Sequence, residues 1–322
     1  MIHTQLCHLL GIYVPIIQAP VGPAASPELA AAVSNAGGLG SIATASRAAD
    51  EVARQLDRVQ ELTVRPYAVN HVVNQLDPDA FALTLEAKPS VISFAIGHPP
   101  PDLIDAAHAA GAFVMQQVHT AAGARRAAAA GVDIIVAQGS EAGGNSGRVS
   151  TLPLVPQVVD AVDPIPVVAA GGIADGRGLA AAMMLGAAGV NVGTRFIASV
   201  EAGAHEDWKR AIVAAQSEDT LKFESWEAAF PAPGGDYPTL PRTIPTAFIA
   251  EWESRETGSA DVGESLRAEL LAAARGGRMH ELVPMAGESV GLIEDILPAA
   301  AIIDQLMAEA EVALRRAARM LV

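Results

Sequence analysis

The chain carries a single cysteine, Cys7, in 322 residues. One thiol excludes an internal disulfide and a zinc cage of several cysteines, and it fits a reducing compartment. Positive charge is also scarce: 21 basic residues stand against 36 acidic ones, for a net charge of −15. No basic stripe occurs, so no nucleic-acid partner is expected. The acidic balance reads as a solubility feature. No stretch of about 18 apolar residues runs free of breakers and charges, so no membrane span is expected. The N-terminus places His3, Gln5 and His8 before Leu9-Leu10. It lacks a charged region leading into a long apolar run, so no signal peptide is expected and a cytoplasmic location follows. Several motifs are missing too. There is no Gly-x-Gly-x-x-Gly after the first strand, no Gly-x-x-x-x-Gly-Lys, no His-Glu-x-x-His and no Gly-x-Ser-x-Gly, which removes support for a Rossmann domain, a P-loop, a zincin or a nucleophile elbow.

What is present is apolar and periodic. Hydrophobic residues make up 51% and charged residues 18%, enough for a large core. Eight short apolar runs recur: Val14–Ala19, Leu39–Ile42, Tyr67–Val69, Val91–Phe94, Phe113–Gln116, Ile134–Ala137, Pro166–Ala169 and Gly189–Val192. They are near-continuous hydrophobics rather than alternations, the pattern of strands buried on both faces. Ala-rich segments of helical length separate them. Ser26-Pro27-Glu28 reads as an N-cap, a first-turn proline and a first-turn acid, with Gly37-Gly38 as the stop. Asp175 reads as a second cap. A helix between every pair of strands requires parallel βαβ units. Eight of them predict an α/β fold, a closed (β/α)8 TIM barrel. After Thr194 the alternation ends. Residues 1–199 and 286–322 are assigned to the barrel, and 200–285 to a C-terminal helical insertion or cap, with the turn-rich Phe230–Pro245 inside that cap and 298–319 as a final amphipathic helix.

The strongest motif is Val167-Val168-Ala169-Ala170-Gly171-Gly172-Ile173-Ala174-Asp175-Gly176, followed by Gly189-Val190-Asn191-Val192-Gly193-Thr194-Arg195-Phe196. These segments end the seventh and eighth strands, where barrels commonly hold a phosphate. Glycines let the backbone approach an anion and leave N–H groups pointing at it. Tight turns alone are the competing explanation, but both loops carry the feature at once. The loop after the sixth strand, Gln138-Gly139-Ser140-Glu141-Ala142-Gly143-Gly144-Asn145-Ser146-Gly147-Arg148, suits a backbone wrapped around a flat ring. Glu141 has no second carboxylate or histidine at ligand spacing, so no metal site is expected. Pro15–Pro23 and Asn70 also stand at strand C-terminal ends.

Together these segments resemble the nitronate monooxygenase, or 2-nitropropane dioxygenase, family of FMN-dependent barrels. The resemblance extends to Ala286-Gly287-Glu288-Ser289-Val290-Gly291-Leu292-Ile293. It implies FMN, with Ala170, Gly171, Gly172, Gly193 and Thr194 around the phosphate. Ala19, Pro20, Val21, Gly22 and Asn70 would line the ring or ribityl chain. Gln117, Gln138, Gly143 and Gly144 would reach the flavin from later loops, Gln117 standing where relatives carry lysine. The implied activity is oxidation of alkyl nitronates by O2. Flavin-dependent enoyl-acyl-carrier-protein reductases and NADH:quinone reductases share the motifs, so an NAD(P)H-dependent reductase is an alternative. A catalytically impaired FMN-binding barrel and a barrel binding a sugar phosphate or nucleotide are others. A homodimer is possible.

One position departs from the family. A histidine, the proposed base, usually follows Glu-Ala-Gly-Gly; here it is Asn145. An amide has no usable pKa near neutrality and cannot act as general base, although it donates hydrogen bonds to nitro or carbonyl oxygens. Asn145 and His98 are therefore the candidate catalytic residues. His98 ranks ahead of His119 and His71, which also fall near strand ends and can equally be packing or surface histidines.

Overall fold

In a computed structural model, the structure describes residues 2–231, 239–255 and 260–321. Pro233, Gly234, Gly235 and Pro238 of the turn-rich stretch lie outside the described residues. Each of the eight apolar runs is a strand: β1 (Ile16–Gln18), β2 (Gly40–Ala43), β3 (Tyr67–Val72), β4 (Val91–Ala95), β5 (Phe113–Val118), β6 (Ile134–Gln138), β7 (Val167–Ala170) and β8 (Gly189–Val192). Strands β2 to β8 pair in parallel with their sequence neighbours, and β8 pairs with β1. Leu39 closes the ring between β1 and β2: its N–H donates to Ile16 O at 3.0 Å, and Gln18 N donates to Leu39 O at 2.9 Å. The fold is a (β/α)8 barrel.

Alternation along the strands sorts side chains into two shells. One residue set faces the surrounding helices and builds the main aliphatic core, with Ile92, Phe94, Val114, Ile135, Ala137, Val167, Ala169, Val190 and Val192 among its members. The other set faces the barrel axis: Ile17, Leu39, Ala68, Val91, Met115, Ile134, Val136, Val168 and Ala170. At the strands' N-terminal end this interior is plugged by the helix Gln5–Leu10, whose Leu6, Cys7 and Leu10 join the axial cluster. Thr4 Oγ1 pins the plug by donating to Ala188 O at 2.6 Å. Cys7 is thus a buried core residue.

The helices start where the capping signals lie. Ser26 Oγ accepts from Leu29 N at 3.1 Å. Asp175 Oδ1 accepts from Arg177 N and Gly178 N at 2.9 and 3.0 Å. The last helix, Ala299–Ala318, packs against the helices Gly176–Met184 and Pro27–Asn35, filling the eighth helical position. The chain between β8 and that helix is an excursion. Its helix Glu206–Ala214 sends Trp208 and Ile212 into the main core. Further along, Phe223, Trp226, Ile249, Trp252, Leu266, Leu270 and Val283 form a small core of their own. Beside its helices this region carries strands Leu221–Lys222 and Leu240–Thr243, which join Gly144–Ser146 of the β6 loop in an antiparallel sheet. That sheet had no sequence signal, because two- to four-residue strands are too short to show a period. No helix among the described residues is long and apolar enough to cross a membrane.

Gly176 is a packing residue. A Cβ there would lie 2.3 Å from Ala310 N and 2.5 Å from Leu306 O, because the final helix rests on it, and its N–H donates to Glu309 Oε2 at 2.9 Å. Backbone on both sides leaves little room to relax. Gly176→Ala is expected to destabilise the fold by about 1–3 kcal/mol through overpacking, read as a lowered midpoint in denaturant unfolding.

Candidate active site

The axial residues change character toward the C-terminal ends of the strands. Below, they are aliphatic; above, they are Ser41, Asn70, Ser93, Gln117, Gln138 and Asn191. Their facing follows from register: Ser41 pairs with Ala68, Asn70 with Ser93, Gln117 with Val136, Gln138 with Ala170, and Asn191 with both Ala170 and Ile17. Asn70 Nδ2 donates to Ser93 Oγ at 2.9 Å. Ser41 Oγ and Asn191 Oδ1 are buried with no hydrogen-bond partner. An unmet buried polar atom costs roughly 1–3 kcal/mol, so a polar layer with open valences over an aliphatic floor suits a polar ligand resting on it. Ser41 and Asn191 were not singled out by motif. Their signal was a polar residue at an inward position of an otherwise apolar strand.

Beside this layer lie the two glycine turns. Gly171 and Gly172 adopt φ of 101° and 73°, the left-handed region open to glycine. The adjacent β8 ends in Gly193-Thr194. The N–H groups of Gly171, Gly172, Gly193 and Thr194 donate to no acceptor among the described residues. Four unpaired N–H groups on neighbouring strand ends form a ready anion cradle. The β1 loop closes its flank: Ala19 N donates to Val192 O at 2.9 Å, and a Cβ on Gly193 would meet Val21 Cγ1 at 3.2 Å. Pro20 and Gly22 continue that loop, half-exposed.

The β6 loop is shaped by packing. The Glu141 carboxylate accepts from Thr151 N at 2.9 and 3.0 Å and lies 3.0 Å from Thr151 Oγ1, so it caps the helix Thr151–Val162. Among the described residues no group of three metal-ligand side chains occurs. The segment Ala286–Glu288 crosses the loop. Glu288 N donates to Glu141 O at 2.9 Å and Gly287 N to Thr194 Oγ1 at 3.0 Å. Added Cβ atoms on Gly143 and Gly287 would lie 2.7 Å from Gly287 N and 2.6 Å from Glu141 O. The two glycine motifs therefore let two backbones touch, which explains why both are needed. Gly144 adopts φ 66° at the start of the short strand that carries Asn145. Asn145 is half-buried, and its Oδ1 has no hydrogen-bond partner.

Three cations gather at this rim. Lys222 Nζ donates to Ser146 O at 3.3 Å and to Gly147 O. Arg242 ion-pairs with Glu288 at 2.8 Å and donates to Ser140 O at 3.1 Å. Burial lowers the Lys222 pKa, and the fields of Arg242 and Arg148 lower it further against Glu224 and Glu288. In a chain of net charge −15 this is a locally positive wall. Sequence reading missed it because the residues come from three separate segments.

The histidines separate into three roles. His71 is fully buried on the outer face of β3, with Nε2 3.1 Å from Thr84 Oγ1 and Nδ1 3.1 Å from Thr44 Oγ1. Thr84 gives its own proton to Ala80 O at 2.9 Å, so His71 donates to Thr84 from Nε2. Burial pushes its pKa down to about 4. His98 follows a left-handed Ile96, φ 54°. Its Nδ1 lies 2.7 Å from Gln116 Nε2 and its Nε2 3.2 Å from Arg126 Nη2. Gln116 faces outward, in register with Phe94, so His98 is held at the outer rim with both nitrogens engaged. Burial and then Arg126 lower its pKa. His119 reaches inward instead: its Nε2 stands 2.8 Å from Gln138 Oε1 and 3.4 Å from Gln117 Nε2. Burial first, then the fields of Lys222 and His98, push it down to about 4 against the Gln138 bond. The mouth is thus lined by neutral imidazole and amides.

Comparison with known proteins accords with this geometry. The nitronate monooxygenase family profile matches residues 3–84 and 79–309. The chain belongs to the nitronate monooxygenase family. The nitronate monooxygenase of Pseudomonas aeruginosa is 35% identical, across 83% of this chain and 97% of that protein. The (3aS,4S,5R,7aS)-5-hydroxy-7a-methyl-1-oxo-octahydro-1H-indene-4-carboxyl-CoA dehydrogenase of Rhodococcus jostii is 40% identical over 68% of this chain, a match that spans 62% of that relative's length. Among solved structures, FabK from Thermotoga maritima superposes with a TM-score of 0.89 at 34% identity, covering 100% of both chains. Nitroalkane oxidase from Streptomyces ansochromogenes gives 0.83 at 30%, covering 97% and 99%.

The depressed His71 pKa couples protonation to stability. The unfolded chain binds this proton near pH 6.5, and the folded chain only near 4. Stability from the neutral ring is therefore complete above about pH 6.5 and is lost as pH falls toward 4, at roughly 1.4 kcal/mol per unit. Denaturant unfolding at several pH values is expected to show this slope added to a like one from His119, and His71→Gln to remove only the His71 share.

Proposed function

We propose that this protein is an FMN-dependent oxidoreductase that oxidises alkyl nitronates, with O2 as electron acceptor. The observation that carries the reading is the pairing of four unpaired backbone N–H groups on the β7 and β8 ends with a polar axial layer holding unmet valences. Gly171, Gly172, Gly193 and Thr194, with Ala170 beneath, would hold the phosphate. Ala19, Pro20, Val21, Gly22 and Asn70 would flank the ring and ribityl chain, and Gln117, Gln138, Gly143 and Gly144 would meet it from the far side. Bound there, FMN supplies the two-electron redox chemistry.

This chain's own residues then set the substrate. Asn145 lies on the loop above the layer with an unbonded carbonyl oxygen, and its amide N–H groups can donate to a nitro-group oxygen. It cannot remove a carbon-bound proton. His98 has both nitrogens occupied, and His119 is neutral with one nitrogen committed to Gln138. The substrate must therefore arrive deprotonated. A nitronate is an anion already, and the wall of Lys222, Arg148 and Arg242 favours a negative charge.

A second reading, an NAD(P)H-dependent reductase of enoyl thioesters or quinones, draws on the CoA-thioester dehydrogenase among the relatives and on a chemistry that needs no protein base at position 145. An anaerobic absorbance titration of the FMN-loaded protein separates the two. Bleaching by ethylnitronate and not by NADH or NADPH is expected; bleaching by a nicotinamide would transfer the assignment to the reductase. Asn145→His is expected to add turnover of neutral nitroethane, at least tenfold above the parent, with little change toward the nitronate. Steady-state oxygen uptake reads both, and no gain with nitroethane would remove Asn145 from the substrate site.

A further inference from the structure

We propose that His119 is a positioning residue: its ring N–H locks the Gln138 side chain so that the amide NH2 is presented to the flavin ring, which stabilises the reduced flavin. The inference rests on the FMN reading above.

Gln138 ends β6 on the axial face, in register with Ala170, immediately beside the Gly171-Gly172 turn. An amide has one accepting end and one donating end, and which end meets a ligand depends on what holds the other. Here the accepting end is taken. His119 Nε2 lies 2.8 Å from Gln138 Oε1. An amide oxygen carries no proton, so the imidazole donates, and the NH2 is left pointing away from His119. That NH2 donates to no acceptor among the described residues. Gln138 is 9% exposed, so water does little to scramble its orientation. Reduced flavin is richer in electron density than oxidised flavin. A fixed N–H donor favours it, and a fixed carbonyl oxygen at the same place would oppose it.

The rim keeps His119 in the required state. The field of Lys222, itself bound to the Ser146 and Gly147 carbonyls, works with burial to keep the ring neutral. His119 thus contributes one directed N–H rather than a charge. Its influence on the flavin passes through Gln138, which separates this role from that of an acid, a base or a nearby cation.

The test is the flavin midpoint potential, measured anaerobically against reference dyes on FMN-loaded protein. His119→Leu and Gln138→Leu are each expected to lower the ratio of reduced to oxidised flavin about tenfold at fixed potential, about 30 mV for a two-electron couple. The double variant is expected to fall no further than either single one, the signature of one path. His119→Gln, which keeps a donor of similar reach, is expected to restore the parent potential. An unchanged potential in His119→Leu, or additive shifts in the double variant, would overturn the proposal. Should His119→Leu not fold, Gln138→Glu carries the test: it still accepts from His119 but offers no N–H, so an unchanged potential there overturns the proposal equally. Failure of the parent protein to take up FMN, seen as no quenching of flavin fluorescence, would instead overturn the cofactor reading beneath it.

Discussion

Closure of the barrel is the constraint from which the rest follows. Two backbone bonds through Leu39 join β1 to β2 and leave the eight-stranded sheet without an open edge. Once the sheet is closed, every second residue of every strand must occupy a limited axial volume, and no side chain there can turn to solvent. Lower down, aliphatic residues and the plug helix Gln5–Leu10 occupy that volume. Higher up, small and amide side chains replace them. The change from a packed floor to a polar, incompletely bonded layer gives the barrel one end for stability and one end for chemistry.

The glycines divide between these two tasks. Gly171 and Gly172 have left-handed backbones, and their N–H groups are unpaired. Gly143, Gly176 and Gly287 are required by contact: backbone lies where their Cβ atoms would sit. A glycine-rich motif therefore marks both an anion cradle and the crossing of the Ala286–Glu288 segment over the β6 loop. That crossing, reinforced by Thr194, Glu141 and Arg242, ties the excursion after β8 to the mouth. The same excursion delivers Lys222, whose field reaches His119. The excursion thus acts on the electrostatics of the site.

On the proposed reading, the residues at this site offer no ready base for proton abstraction. Asn145 offers a hydrogen bond where a base is usual, and the nearby imidazoles are kept neutral and occupied by amides and an arginine. The proposed reading leaves a site for an anion and a planar ring. That arrangement suits substrates whose difficult proton has already gone, or whose electrons arrive from elsewhere.

Much of the architecture was legible in the chain. Strand cores such as Ile134–Gln138, capped helix starts at Ser26 and Asp175, and the glycine pairs at 171–172 and 143–144 are local features set by short-range sterics and burial, so residue order suffices to place them. His71 and His98 show where order stops sufficing. His71 lies within β3 and His98 follows β4, yet outward register commits His71 to Thr44 and Thr84, and Gln116 with Arg126 holds His98 at the outer rim, while inward placement brings His119 to Gln138. The small sheet joining Gly144–Ser146 to Leu240–Thr243, the touching backbones of Gly143 and Gly287, and the gathering of Lys222, Arg148 and Arg242 depend on segments tens of residues apart. The sequence by itself determined the barrel, its strand order and the place of the glycine turns, because those rest on local period and capping. Only the tertiary structure decided which polar groups face the axis and which are left unbonded, because that depends on register and on what packs across each residue.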